Sequence, residues 1–111
     1  MSAETTLSRL EAVIASRVGG DPDASYVARL NARGLPKIAQ KVGEEAVEAV
    51  IAATAKDPVA LTSESADVLY HLLVLWAAAG ITPEDVYAEL KAREAQSGLQ
   101  EKAARGKATF S

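Results

Sequence analysis

Three features of the sequence predict an all-α protein. Apolar residues recur at three- and four-residue spacing. No segment alternates apolar and polar in the manner of a half-buried strand, and the breaking residues fall between the periodic runs. The 111 residues suit one small domain, and 49% hydrophobic with 24% charged residues is globular rather than disordered composition. Twelve Lys and Arg against fifteen Asp and Glu leave a net charge of −3, which argues against general attraction to nucleic acid. The absence of cysteine excludes disulfides, a thiolate zinc site and a cysteine nucleophile. The opening residues do not run from a charged start into an apolar stretch as a secretion signal does. The apolar stretch at 68–81 contains His71 and is shorter than the roughly 20 residues that span a bilayer. The expectation is a soluble, cytoplasmic protein with neither a membrane nor a nucleic-acid partner.

The elements follow in order. Leu7, Leu10, Val13 and Ile14 predict an amphipathic helix over 4–18, and Gly19-Gly20-Asp21-Pro22-Asp23 reads as a loop. Ser25 can cap a short helix from Tyr26 to Arg33, which Gly34 ends in a left-handed conformation. Leu35-Pro36 opens a third helix that runs to about Lys56, proline standing where its missing N–H costs nothing. Asp57-Pro58 caps and starts a fourth, which stops at Gly80. Thr82-Pro83-Glu84-Asp85 opens a fifth, to about Gln96, with Thr82 as cap and acids in the first turn. Residues 1–96 are thus expected to form one compact bundle of about five helices, and 97–111 a polar, partly basic tail that frays.

The third and fourth helices carry the chemistry. At about 100° per residue, with Glu44 at 0°, Lys37 falls near 20°, Glu48 near 40°, Lys41 near 60° and Glu45 near 100°. Val42, Ala46, Ala49 and Val50 lie opposite and are expected to pack. On the next helix Glu64, Asp67 and His71 share a face. The turn near Lys56-Asp57 makes the two helices antiparallel neighbours. Glu48 and Glu64 then stand about 13 and 10 Å from that turn, and Glu45 and Asp67 about 18 and 15 Å. Four carboxylates, with Glu44 beside them, can converge on a small volume.

A lone Glu-Glu-x-x-Glu is usually a solvated face. Here the continuation Val68-Leu69-Tyr70-His71-Leu72-Leu73-Val74-Leu75-Trp76 is apolar on nearly every side, so Glu64 and Asp67 sit at the approach to a buried helix. Carboxylates crowded there are costly unless a divalent cation compensates them. All-oxygen ligands suit Mg²⁺, with Mn²⁺ able to substitute, rather than zinc. A di-iron bundle would need Glu-x-x-His motifs, which the chain lacks. His71 is read either as a core residue bonded to a backbone carbonyl or as a group near metal or substrate. Trp76 and Tyr87 read as packing residues. Arg29, Arg33, Lys56 and Arg93 read as surface charges by default, each a possible contact for an anionic ligand. No P-loop, dinucleotide glycine fingerprint or nucleophile elbow is present.

Glu45-x-x-Glu48 and Glu64-x-x-Asp67 resemble the signature of the MazG-like all-α nucleotide pyrophosphatases. Ser25-Tyr26, Gly34, the block from Lys41 to Glu48, Ser63-Glu64-Ser65-Ala66-Asp67-Val68-Leu69-Tyr70-His71-Leu72-Leu73-Val74 and Glu89-Leu90-x-x-Arg93 resemble, more narrowly, the phosphoribosyl-ATP pyrophosphatases of histidine biosynthesis. That resemblance covers about 7–102. It implies Mg²⁺-dependent hydrolysis of the α–β phosphoanhydride of phosphoribosyl-ATP to phosphoribosyl-AMP and pyrophosphate, the second step of histidine synthesis. It further implies the free-standing form of the enzyme and a homodimer. Length and the lack of cysteine fit the former. A fourth helix apolar all round, which a 111-residue monomer has trouble covering, fits the latter. On this resemblance Glu45, Glu48, Glu64 and Asp67 are the metal ligands, and Glu44 is a further ligand or orients the attacking water. Glu44, Glu45 and Glu48 are thereby catalytic. Lys37 and Lys41 contact phosphate oxygens, and Ser25 and Tyr26 line the nucleotide pocket. Two other readings stand beside it: a house-cleaning pyrophosphatase for non-standard nucleoside triphosphates, and a helical module whose acidic face docks a basic partner. A substrate panel separates the first, and Mg²⁺-dependent stabilisation the second.

Overall fold

The computed structural model describes residues 3–95, with side chains from Thr6 onward. It contains five helices and, among the described residues, no strand: α1 (Ala3–Arg17), α2 (Tyr26–Arg33), α3 (Leu35–Thr54), α4 (Pro58–Ala79) and α5 (Pro83–Glu94). The expected tail, and the expected helix end at Gln96, lie outside the described residues. Helices α1–α4 belong to one compact unit that closes at Ile81, and α5 begins a second.

The starts of α2, α4 and α5 are each made by a side chain that answers an unpaired N–H. The Ser25 hydroxyl accepts from the Ala28 N–H at 3.2 Å, and Asp57 Oδ1 accepts from Ala60 at 3.0 Å. Thr82 and Asp85 exchange bonds in a reciprocal capping box at the head of α5, at 3.2 and 2.9 Å. Between α1 and α2, Asp21 Oδ1 takes the Asp23 N–H at 2.9 Å and holds the loop.

Two junctions depart from the sequence expectation. Gly34 has the positive φ expected, 95°, but ψ is 165°, so it is extended rather than left-handed helical. It joins α2 to α3 alone: its N–H donates to Asn31 O, and its carbonyl accepts from Ile38. A Cβ there would meet nothing nearer than Pro36 Cδ at 3.8 Å, so the demand for glycine comes from the dihedral and not from space. At its other end α3 stops at Thr54, two residues before the expected limit. Lys56 takes φ 57°, its N–H donating to Ala53 O while Asp57 N–H donates to Ala52 O, the paired bonds of a Schellman ending. A lysine fills the place usually given to glycine. Gly80 ends α4 as expected, in the left-handed conformation.

The core is Ile14 of α1, Val27 and Leu30 of α2, Ile38 of α3, and Leu73 and Val74 of α4, with Leu7, Leu10, Tyr70 and Trp76 packed around it. It fills the half of the bundle away from the α3–α4 turn. Towards the turn α3 and α4 pack mainly on each other, and apolar side chains stay exposed. Val50, expected to pack, is 61% exposed, beside Val47 at 58% and Ile51 at 60%; Val59 of α4 is 80% exposed. Two helices cover only one side of each other, which leaves the outer stripe of α3 bare.

Candidate functional site

The antiparallel pair brings three of the expected carboxylates together. Glu45 and Glu48 of α3 and Glu64 of α4 each offer an oxygen, and the three oxygens lie within 4.8 Å of one another. Glu64 Oε2 is shielded from solvent with no hydrogen-bond partner. The Glu64 carboxyl is pushed up to about 7. The first cause is the Glu48 carboxylate, to which a protonated Glu64 can donate a hydrogen bond, then burial, repulsion from Glu48, and the same influences from Glu45. Three acids held this close, one with a bare oxygen turned inward, form a donor set that fits a hard divalent cation.

Asp67, expected as the fourth ligand, is exposed and contributes no oxygen to that group. Its backbone carbonyl accepts from His71 Nδ1 at 2.7 Å. Because a carbonyl can only accept, Nδ1 carries the proton, and Nε2 is free to accept from the Tyr26 hydroxyl at 2.7 Å. The core reading of His71 therefore holds, since it is buried and bonded to a backbone carbonyl; its other nitrogen ties Tyr26 to the helix that carries Glu64 and Asp67. The Tyr26 ring stacks on Tyr70 at 6.4 Å and meets His71 edge-on at 5.7 Å. Burial raises the Tyr26 phenol above its usual pKa, against the opposing pull of Lys41.

Glu44 does not join the trio. It accepts from Gln40 Nε2 at 2.9 Å and pairs with Lys41 at 3.5 Å, and its carboxyl is held below the usual range by the Gln40 bond first and by Lys41. Lys41 also reaches Glu45 at 3.8 Å, so one ammonium stands between the trio and Glu44. Beyond it a cavity of about 210 Å³ opens between α2 and α3, lined by Tyr26, Arg29, Leu30, Arg33, Lys37, Lys41 and Glu44. Lys37 and Lys41 were expected here. Arg29 and Arg33 were read as surface charges by default, each a possible anion contact, and their four-residue spacing puts them on one face of α2. Ser25 is half-buried and its oxygen is engaged as the α2 cap. On the other side of the trio a larger cavity, about 310 Å³, is lined by Ile51, Ala52, Ala55 and Ala60, with Asp57, Glu48 and Glu64. No periodicity argument pointed to it.

A family model described as phosphoribosyl-ATP pyrophosphohydrolase matches residues 7–94. The chain is similar to the phosphoribosyl-ATP pyrophosphatase of Erythrobacter litoralis, 60% identical over 91% of this chain and 97% of that one. It is 61% identical to that of Rhizorhabdus wittichii, over 92% and 96%, and 59% identical to that of Parvibaculum lavamentivorans, over 96% and 98%.

Proposed function

The chain belongs to the phosphoribosyl-ATP pyrophosphohydrolase family, and from that premise we propose that it hydrolyses phosphoribosyl-ATP to phosphoribosyl-AMP and pyrophosphate in a Mg²⁺-dependent reaction, the second step of histidine biosynthesis in the cytoplasm. The observation that carries the proposal is the meeting of Glu45, Glu48 and Glu64 oxygens within 4.8 Å, beside a cavity walled by four cations. An anionic substrate would be repelled by the trio alone. Glu45, Glu48 and Glu64 would hold the ion, with Asp67 one turn along α4 as the fourth carboxylate. Bound Mg²⁺ supplies Lewis acidity, a lowered pKa for water and neutralisation of phosphate charge; Mn²⁺ can take its place.

The chain's own groups hold and orient the substrate. Lys41, paired with Glu44 and Glu45, stands at the border of trio and cavity, where an arriving phosphate oxygen can take one of its N–H donors. Lys37 lies one turn further along the same face. The Tyr26 ring, fixed by its hydroxyl bond to His71, forms a wall of the cavity. Water attacks phosphorus in line, the α–β bond breaks, and pyrophosphate leaves with part of its charge met by Lys41 beside the trio.

Pyrophosphate release from phosphoribosyl-ATP, measured beside a panel of nucleoside triphosphates with and without Mg²⁺, tests this. Turnover of ordinary triphosphates alone would transfer the chain to the house-cleaning type. Turnover that survives chelation would remove the metal.

A homodimer is part of the same proposal. The sequence placed its contact on α4; the exposed Val47, Val50 and Ile51 extend the uncovered apolar surface along α3. Light scattering at micromolar concentration is expected to give twice the chain mass, and a monomer mass would contradict it.

A further inference from the structure

Resting on the phosphoribosyl-ATP reading, we propose that the cavity between α2 and α3 holds the phosphate of the phosphoribosyl arm, the phosphomonoester at the end of the substrate away from the bond that breaks, with Arg29 and Arg33 as its main contacts. Four cations line the cavity against a single carboxylate. That carboxylate, Glu44, is already engaged by Gln40 and Lys41. Among the described residues Arg33 and Lys37 form no salt bridge within 4.0 Å, and Lys37 acts on Glu44 only from further away. Arg29 donates Nε to Pro22 O at 3.1 Å, which anchors the guanidinium and leaves its terminal N–H groups for a second acceptor. Two guanidinium groups four residues apart on one helix suit a phosphate with several free oxygens, which each can meet with paired donors.

Which phosphate follows from spacing along α3. Lys41 borders the trio, its ammonium 3.8 Å from Glu45, whereas Lys37 starts one turn further back; the rise from Lys37 to the midpoint of Glu45 and Glu48 is about 14 Å. A triphosphate with its α–β bond at the trio keeps its remaining phosphates next to that bond. A phosphate on the far ribose is separated by the base and the sugar, and so can reach the cavity. Glu44 points the same way. Its remaining lone pairs can accept hydrogen bonds from ribose hydroxyls, and about 210 Å³ leaves room for sugar beside phosphate. The cavity is in this sense the part of the site that tells phosphoribosyl-ATP from ATP.

The test compares wild type with Arg29→Gln and Arg33→Gln, both exposed positions, in two measurements. In steady-state hydrolysis of phosphoribosyl-ATP the KM is expected to rise by about 10- to 100-fold with kcat changed by less than about threefold, and Arg33→Lys to recover part of the loss. In calorimetric titration of the metal-free protein, the affinity for phosphoribosyl-AMP is expected to fall by a similar factor, and that for AMP to stay unchanged. Equal losses for AMP and phosphoribosyl-AMP would assign the cavity to the nucleotide's own phosphate and overturn the inference. An unchanged KM, or a loss confined to kcat, would overturn it too. Wild-type protein that fails to hydrolyse phosphoribosyl-ATP would instead refute the functional reading, and the two product titrations would still judge the cavity by its charge.

Discussion

Loading the trio with metal should expel a proton, and the number expelled should depend on pH in a way the structure sets. Glu64 titrates near 7 because Glu48 and Glu45 crowd it. A metal ligand must be deprotonated, so binding releases whatever proton Glu64 still holds. With a midpoint of about 7 that is roughly 0.9 proton per site at pH 6, 0.5 at pH 7 and 0.1 at pH 8. Apparent affinity for Mg²⁺ or Mn²⁺ should accordingly rise with pH up to neutrality and level off above it. The sign for folding runs the other way. Between its ordinary value of 4.5 and about 7, the native metal-free protein holds a proton that the unfolded chain has lost. Its stability therefore falls as pH rises through that window, and added metal cancels the fall. Titration calorimetry with MnCl₂ in buffers of different ionisation enthalpy counts the protons directly. A count that is zero or flat from pH 6 to 8 would refute the reasoning. So would undiminished release from Glu64→Gln, which has no such proton to give.

Glu48→Gln removes one of the mutually repelling charges; thermal melting without metal should be unchanged or shifted upward, while kcat drops on the order of 10²-fold or more in the pyrophosphate assay. Asp67→Asn, outside the trio, should leave the metal-free melting temperature unchanged and still lower Mg²⁺-dependent turnover. Lys56→Gly relieves a left-handed lysine at the α3–α4 turn, and urea unfolding should show a gain of about 0.5–1 kcal/mol after the added flexibility of the unfolded chain is subtracted. Ile38→Ala empties a fully buried position facing α1, α2 and α4, and the same measurement should show a loss of about 2–5 kcal/mol.

The helices were legible in the sequence wherever a short polar residue stood ready to cap them. Ser25, Asp57 and Thr82 mark the starts of α2, α4 and α5 because a side-chain oxygen beside unpaired N–H groups works through local geometry alone. The end of α3 was not legible, because the residue that breaks it is a lysine in a conformation that sequence reasoning reserves for glycine. A helical wheel also gave the common face of Glu44, Glu45, Glu48, Lys37 and Lys41. It could not say which rotamer each acid takes, and Glu44 turns to Gln40 while Glu45 and Glu48 turn to Glu64. Arg29 and Arg33 could not be told apart in the sequence from other possible anion contacts such as Lys56 and Arg93, for a different reason. Their cavity lies between two helices whose mutual angle depends on the backbone at Gly34, and no pattern of residue types encodes that angle. Val50 was expected to pack because the wheel sets it opposite the acids, but one chain offers nothing on that side to pack against.

The joint at Gly34 makes the reach of the site a covalent matter. With one residue between α2 and α3, and that residue at φ 95° and ψ 165°, the angle between the guanidinium-bearing and carboxylate-bearing rods is dictated by two torsions rather than negotiated by a flexible linker. Any L-amino acid at 34 would swing one rod against the other even though there is room for its side chain. The gauge between the two anchoring points is therefore cut into the backbone, and resizing it for a longer or shorter substrate would begin at this single peptide unit.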